Sequence, residues 1–305
     1  MRAFKVLSLL FISFTIKVLT DERTMYLKKI ENKQEKRTRE ILDDIASQYD
    51  ARIFSKIRVA DTLIIENSGL PKDEYSYALK AHFDCVVVNK DSIAEFAVEF
   101  DGLQHKFDTK SIHRDELKNN ICRKLNFPLL RITSEYFEKI GRFPTILSWI
   151  TELYFLQKLF YAAQDEGEIP QDEPWMWFSL IDYDPVVRYK AFIRIACDKG
   201  LCCDDVIGYI SGRSKERKSY ATLSTLKIQN NKYIANFVEC VAINFYAIPA
   251  REISIELSDY NIYKSFRKYI EGNNIRTYTC AEVSKMRSDF IKQHKICSFN
   301  VGLEE

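Results

Sequence analysis

Two apolar runs in the first half of the chain carry carboxylates at matched positions. Asp84 sits in His82-Phe83-Asp84-Cys85-Val86-Val87-Val88, and Glu99 and Asp101 in Phe96-Ala97-Val98-Glu99-Phe100-Asp101-Gly102. Side chains alternate across a strand, so Phe96, Val98 and Phe100 take one face while Glu95, Ala97, Glu99 and Asp101 take the other. Both runs are rich in strand formers, and the polar turn Asn89-Lys90-Asp91-Ser92 between them predicts an antiparallel hairpin. A register that sets Asp84 beside Glu99 brings like charges together, which calls for a cation or protons between them. Mg2+ suits that place, because it takes oxygen from one or two carboxylates and leaves its other positions to water and phosphate. Mn2+ accepts the same ligands. Gly102 lets the backbone turn so that Gln104 and His105 come back over the site, and a following helix carries Arg114, Asp115 and Lys118. The chemistry this set points to is a divalent metal working on a phosphodiester.

The order Asp84, Glu99-x-Asp101-Gly102, His105, Arg114-Asp115, Lys118, then Asn126-Phe127-Pro128-Leu129-Leu130-Arg131-Ile132 resembles the PD-(D/E)XK nuclease superfamily. Within it, the likeness is to small bacterial domains related to very-short-patch-repair endonucleases, many of them known only as domains of unknown function. It covers roughly residues 35 to 150 and is strongest from Val98 to Ile132. The resemblance implies a restriction-endonuclease-like core and a metal-dependent nuclease acting on DNA, of the repair, restriction or defence type. It makes Asp84 and Glu99 metal ligands, adds Asp101 as a further ligand or water-positioning group, and places His105 in the site. Two positions depart from the pattern: Phe83 stands where the superfamily has proline, and Asp101 where it has the catalytic lysine. Lys118 can supply that lysine from the helix, or Gln104 and His105 can take its place. A nuclease-like fold that binds nucleic acid without cutting it is the competing reading.

The helix that follows the acids has Leu117, Ile121 and Leu125 four residues apart, a stripe that packs on the sheet. Lys118 flanks the stripe, where a long side chain reaches the sheet's edge. The same Arg114, Asp115 and Lys118 would also serve as a solvated face with an ordinary surface ion pair. Glu99 and Asp101 would likewise serve as the polar outer face of an antiparallel sheet. Three of the four histidines, His82, His105 and His113, lie near the acids. His105 is the candidate to move a proton or orient the attacking water, and His82 a weaker candidate for supporting Asp84.

These residues need elements to hold them. An amphipathic helix over 35–50 presents Ile41, Leu42, Ile45 and Tyr49 on one side, Ile53 to Val59 reads as a strand, and Leu129 to Ile132 as another. With the hairpin and the Arg114 helix this gives an α/β core in the order helix, three strands, helix, strand, with a mixed sheet. A helix from about Pro144 to Tyr161 closes this domain, taken as 35–163 after a charged lead-in at 21–34. The acidic stretch Gln164 to Pro174, with Gly167 and two prolines, marks a boundary. Residues 175–305 read as a mostly helical domain, with Pro185 in a first helical turn and Thr279-Cys280-Ala281-Glu282 as a capping box. Basic residues from Arg213 to Lys232, interleaved with Tyr220 and Tyr233, form either a backbone-contacting stripe or a solvated basic loop.

The chain has 305 residues, enough for about two domains with real cores. Its 45 basic and 43 acidic residues leave a net charge of +2, so any nucleic-acid footprint is local. Residues 1–20 contain the apolar run Val6 to Ile16 between Lys5 and Lys17. It reads as a short membrane anchor, a secretory signal lacking a clear cleavage site, or a segment docked on the protein itself. If it inserts, the basic residues after it keep the bulk of the chain in the cytoplasm; that placement also admits a membrane-tethered interaction protein in which the second half does the work. Eight scattered cysteines form no compact framework, which favours free thiols in a reducing compartment; His294 and Cys297 could join a metal site only with partners from elsewhere.

Overall fold

The acid-bearing hairpin forms the second and third strands of a mixed sheet, one strand in from its β1 edge. The computed structural model describes residues 29–102, 109–139, 145–177, 185–216 and 218–300. Helix α1, Lys33–Ala46, opens on a capping box: the Asn32 side chain accepts from the Gln34 and Glu35 N–H groups, and Glu35 accepts from the Asn32 N–H at 2.9 Å. Strand β1, Arg52–Arg58, runs antiparallel to β2, His82–Val88, with short helices α2, Val59–Thr62, and α3, Lys72–Ala78, between them. β2 pairs antiparallel with β3, Ala94–Phe100, and Cys85 stands opposite Val98, so Asp84 and Glu99 are cross-strand neighbours. The register slips between Val87 and Val88, and Glu95 goes to Tyr154 and Lys158 instead of to the face of Glu99. Helix α4, Thr109–Lys124, then crosses to β4, Leu129–Ile132, which lies parallel to β3.

Past helix α5, Ile146–Asp165, and helix α6, Pro185–Asp198, the chain returns to the same sheet. β5, Gly208–Ser214, β6, Tyr220–Ile228, and β7, Lys232–Ile243, are antiparallel, and β7 pairs with β4 through Leu129 opposite Ile243. Helix α7, Ala250–Ile270, the short β8, Tyr278–Thr279, helix α8, Cys280–Gln293, and β9, His294–Phe299, complete the fold. The strand order is β1-β2-β3-β4-β7-β6-β5-β9, with β8 on β7. Residues 175–305 are therefore not mostly helical. β6 is covered on both faces and shows no alternation of apolar and polar residues. The β6–β7 turn does carry a hairpin signal, Asn230-Asn231, both residues at positive φ. Arg213, Lys215 and Lys218 fall at one end of β6 and Lys227 and Lys232 at the other, and Tyr233 is buried, so these described residues form no single stripe.

Residues of α1, α5 and α7 pack with Cys85, Phe96, Val98, Leu130 and Val238 on one face of the sheet. On the other face α3 and α4 cover Val86, Ala97, Leu129 and Ile243, and Phe290 of α8 covers Ala221 and Leu223. All eight cysteines are free thiols, and His294 stacks on Phe290 with its Nδ1 at the Phe290 carbonyl. Among the described residues no helix is long and apolar enough to cross a membrane. The apolar run of residues 1–20 lies outside the described residues.

Candidate active site

Four strand ends meet beneath the first turns of two helices. The C-terminal ends of β1, β3 and β4 and the N-terminal end of β2 open into a cleft of about 790 Å3, roofed by the start of α1 and the first half of α4. Asp84, Glu99, Asp101 and Lys118 all line it.

Asp84 and Glu99 lock each other in place. The Asp84 N–H donates to Glu99 Oε1 at 3.2 Å, and the Phe100 N–H donates to Asp84 Oδ2 at 3.0 Å. Each carboxylate also meets a lysine. Lys118 Nζ donates to Glu99 Oε2 at 2.7 Å and to the His82 carbonyl at 2.7 Å, and it lies over the Phe83 ring. Phe83 is thus a wall for that ammonium. Lys56 Nζ donates to Asp84 Oδ1 at 2.7 Å and to Glu35 Oε1 at 2.8 Å. Glu99 is buried, and burial pushes its carboxyl above the ordinary value, with the Lys118 charge working against that shift. Burial opposes the Lys56 charge, but its hydrogen bonds to Asp84 and Glu35 outweigh that and hold the ammonium above its usual value.

Asp101 lines the cleft and takes its described hydrogen bonds from an arginine. Arg131 of β4 grips both of its oxygens at 2.8 Å and reaches Asp115 at 2.6 Å. The guanidinium is buried, and its bonds to Asp101 offset that burial and raise it above its ordinary value. Asp101 thus lies at the cleft with its acceptors turned to an arginine.

Asp84 and Glu99 are the pair that could hold a divalent cation. A carboxylate has about four acceptor directions, and the described contacts use two on Asp84 and two on Glu99. Two carboxylates are what Mg2+ takes when phosphate and water supply the rest. Among the described residues no cluster of three or more His, Cys, Asp or Glu has the spacing to hold an ion.

The structure thus brings together Asp84, Glu99 and Lys118, with Asp101 beside them. His105 and Gln104 lie outside the described residues. His82 contributes its carbonyl, and its side chain is exposed. Sequence reasoning missed Glu35 and Lys56 and gave Arg131 no role. Glu35 had a local signal, since Asn32 and Glu35 have the spacing of a helix-opening cap. Lys56 had none.

Residues 27–143 match a family described as a protein of unknown function, DUF2726. Every cleft residue named above falls inside the matched segment. No curated protein and no solved structure matches the chain.

Proposed function

We propose that this chain is a metal-dependent nuclease that hydrolyses phosphodiester bonds in DNA. The observation that carries the reading is the interlocked pair Asp84 and Glu99, set at the strand ends of an open polar cleft with Lys56, Lys118 and Arg131 around it. The order α1, β1 to β3, α4, β4 is the one the resemblance to the PD-(D/E)XK superfamily implies, which supports the same reading.

Asp84 and Glu99 are the residues that would hold Mg2+ or Mn2+. Such an ion supplies Lewis acidity to the phosphate and acidity to a bound water. Lys118 orients Glu99 and works against the upward push of burial on its carboxyl. The crossed backbone bonds fix both carboxylates before substrate arrives, so little reorganisation is left for the reaction. Arg131 holds Asp101 at the cleft, where the acceptor directions it leaves open can take a hydrogen bond from the attacking water. In the hydrolysis the water oxygen bonds to phosphorus and the bond to the leaving sugar oxygen breaks. One proton leaves the water and one reaches the leaving oxygen, and His105 is the residue we assign to that transfer.

The test is incubation of purified protein with plasmid, linear duplex, single-stranded DNA and RNA, each with Mg2+, Mn2+ or chelator. Cleavage of DNA that requires the metal is the expected result. A second reading, binding without cutting, draws on the lysine contacts that both Asp84 and Glu99 already make. Nucleic-acid binding with no metal-dependent cleavage of any substrate would replace the first reading with the second.

A further inference from the structure

The sheet motif lacks its lysine, because Asp101 stands in that position. Two lysines reach the paired carboxylates, and their surroundings differ. Lys118 is 8 % exposed, donates to Glu99 and the His82 carbonyl, and has the Phe83 ring across it. Each ammonium uses two of its three N–H donors in described contacts, so the two differ in exposure and in the Phe83 ring across Lys118. Lys56 is 31 % exposed, lines the cleft and donates to Asp84 and Glu35.

Its backbone is the second observation. Of the non-glycine residues with positive φ among the described residues, Lys56 is the one inside a strand, at φ 57°. Pairing is in register on both sides of it, Ser55 with Cys85 and Ile57 with Phe83, so the distortion inserts no residue and re-aims one side chain. A left-handed lysine in a strand is costly, and such strain persists where the surroundings hold it, most often at functional sites. Here it places the ammonium 2.7 Å from Asp84 Oδ1, opposite a candidate metal ligand.

We propose that Lys56 is the missing lysine of this site: supplied from β1, it contacts a non-bridging oxygen of the scissile phosphate and offsets the charge that grows there in the transition state. Lys118 is then a positioning residue for Glu99. This assignment rests on the nuclease reading. It adds no bond-making step to the hydrolysis above, since the ammonium keeps its protons and donates a hydrogen bond.

The deciding variants are Lys56→Gly and Lys56→Asn in the full chain, because both residues accept positive φ. The expected result is a fall in kcat of about 100-fold or more, with DNA and Mn2+ affinities within about threefold of wild type. The melting temperature should stay near that of wild type, since relief of the backbone strain offsets the lost contacts to Asp84 and Glu35. Ethylammonium should restore part of the Lys56→Gly rate by entering the space left by the side chain. If wild type cuts and Lys56→Gly cuts at a similar rate, or loses activity only through a lowered melting temperature with no amine rescue, the assignment is overturned while the nuclease reading stands. If wild type cuts no substrate, both fall together.

Discussion

Two parts of this molecule bury polar side chains against the same sheet, and they do so in different ways. In the cleft, carboxylates face lysines and an arginine: Asp84 with Lys56, Glu99 with Lys118, Asp101 with Arg131. Between the sheet and α7 lies a seam of hydroxyls: Thr222 bonds Ser254 at 2.7 Å and Ser211 at 3.1 Å, Ser224 donates to Asp259 at 2.8 Å, and Ser258 donates to the Asn236 carbonyl. The seam is built mostly of neutral groups that hydrogen-bond one another. The cleft gathers charge from α1, β1, β2, β3, α4 and β4 into one open hollow, which folding alone does not require. Burial of polar groups is therefore a weak marker of function. Opposed charges converging on a cleft from distant segments are a stronger one.

The largest expected effect separates charge pairing from chemistry. Lys118→Met leaves a buried carboxylate without its partner and should lower stability by about 3–5 kcal/mol in urea unfolding. Adding Glu99→Leu should recover most of that loss, because an apolar pair of similar size replaces a buried ion pair at little net cost. The double variant should nonetheless show no metal-dependent cleavage. A stable double variant that still cuts DNA would remove Glu99 from the site.

The seam should answer to pH instead. Burial pushes the Asp259 carboxyl up to about 7, against an ordinary value of 3.8. Between those values the folded chain holds a proton that the unfolded chain has released. Stability is therefore greatest below that window, falls as pH rises through it, and levels off above about 7. The total loss is about 4 kcal/mol from a shift of this size. Asp259→Asn should flatten this slope and unfold later than wild type at pH 8. Equal pH slopes for the two proteins would show that Asp259 is not the titrating group.

The smallest effect is at Thr222. Its hydroxyl joins Ser211 and Ser254, so Thr222→Val should cost about 1–2 kcal/mol while leaving Mn2+ affinity and cleavage rate unchanged. A change in cleavage larger than the stability loss explains would tie the seam to the cleft and undo the contrast.

The hairpin was legible in sequence because alternation and the Asn89–Ser92 turn act locally, and Lys118 because helical spacing sets its flank. Glu35 and Lys56 were not assigned, since their meeting with Asp84 depends on how α1 and β1 pack and on one unusual backbone angle. The second half was misread where both faces are covered. Every residue from 253 to 262 of α7 is buried, and β6 is buried nearly throughout, so neither shows a polar side to reveal its period. Asn230-Asn231 was the overlooked clue.

The pairing of β4 with β7 also governs how the protein can be made. Residues 129–132 find one neighbour in β3, but the other, residues 241–243, is among the last strands to leave the ribosome. Until then β4 offers an open edge of unpaired amides flanked by apolar side chains, the kind of template on which chains join each other. A fragment cut at the end of the matched segment would keep that edge permanently, so the cleft-bearing half relies on its C-terminal strands to cover it.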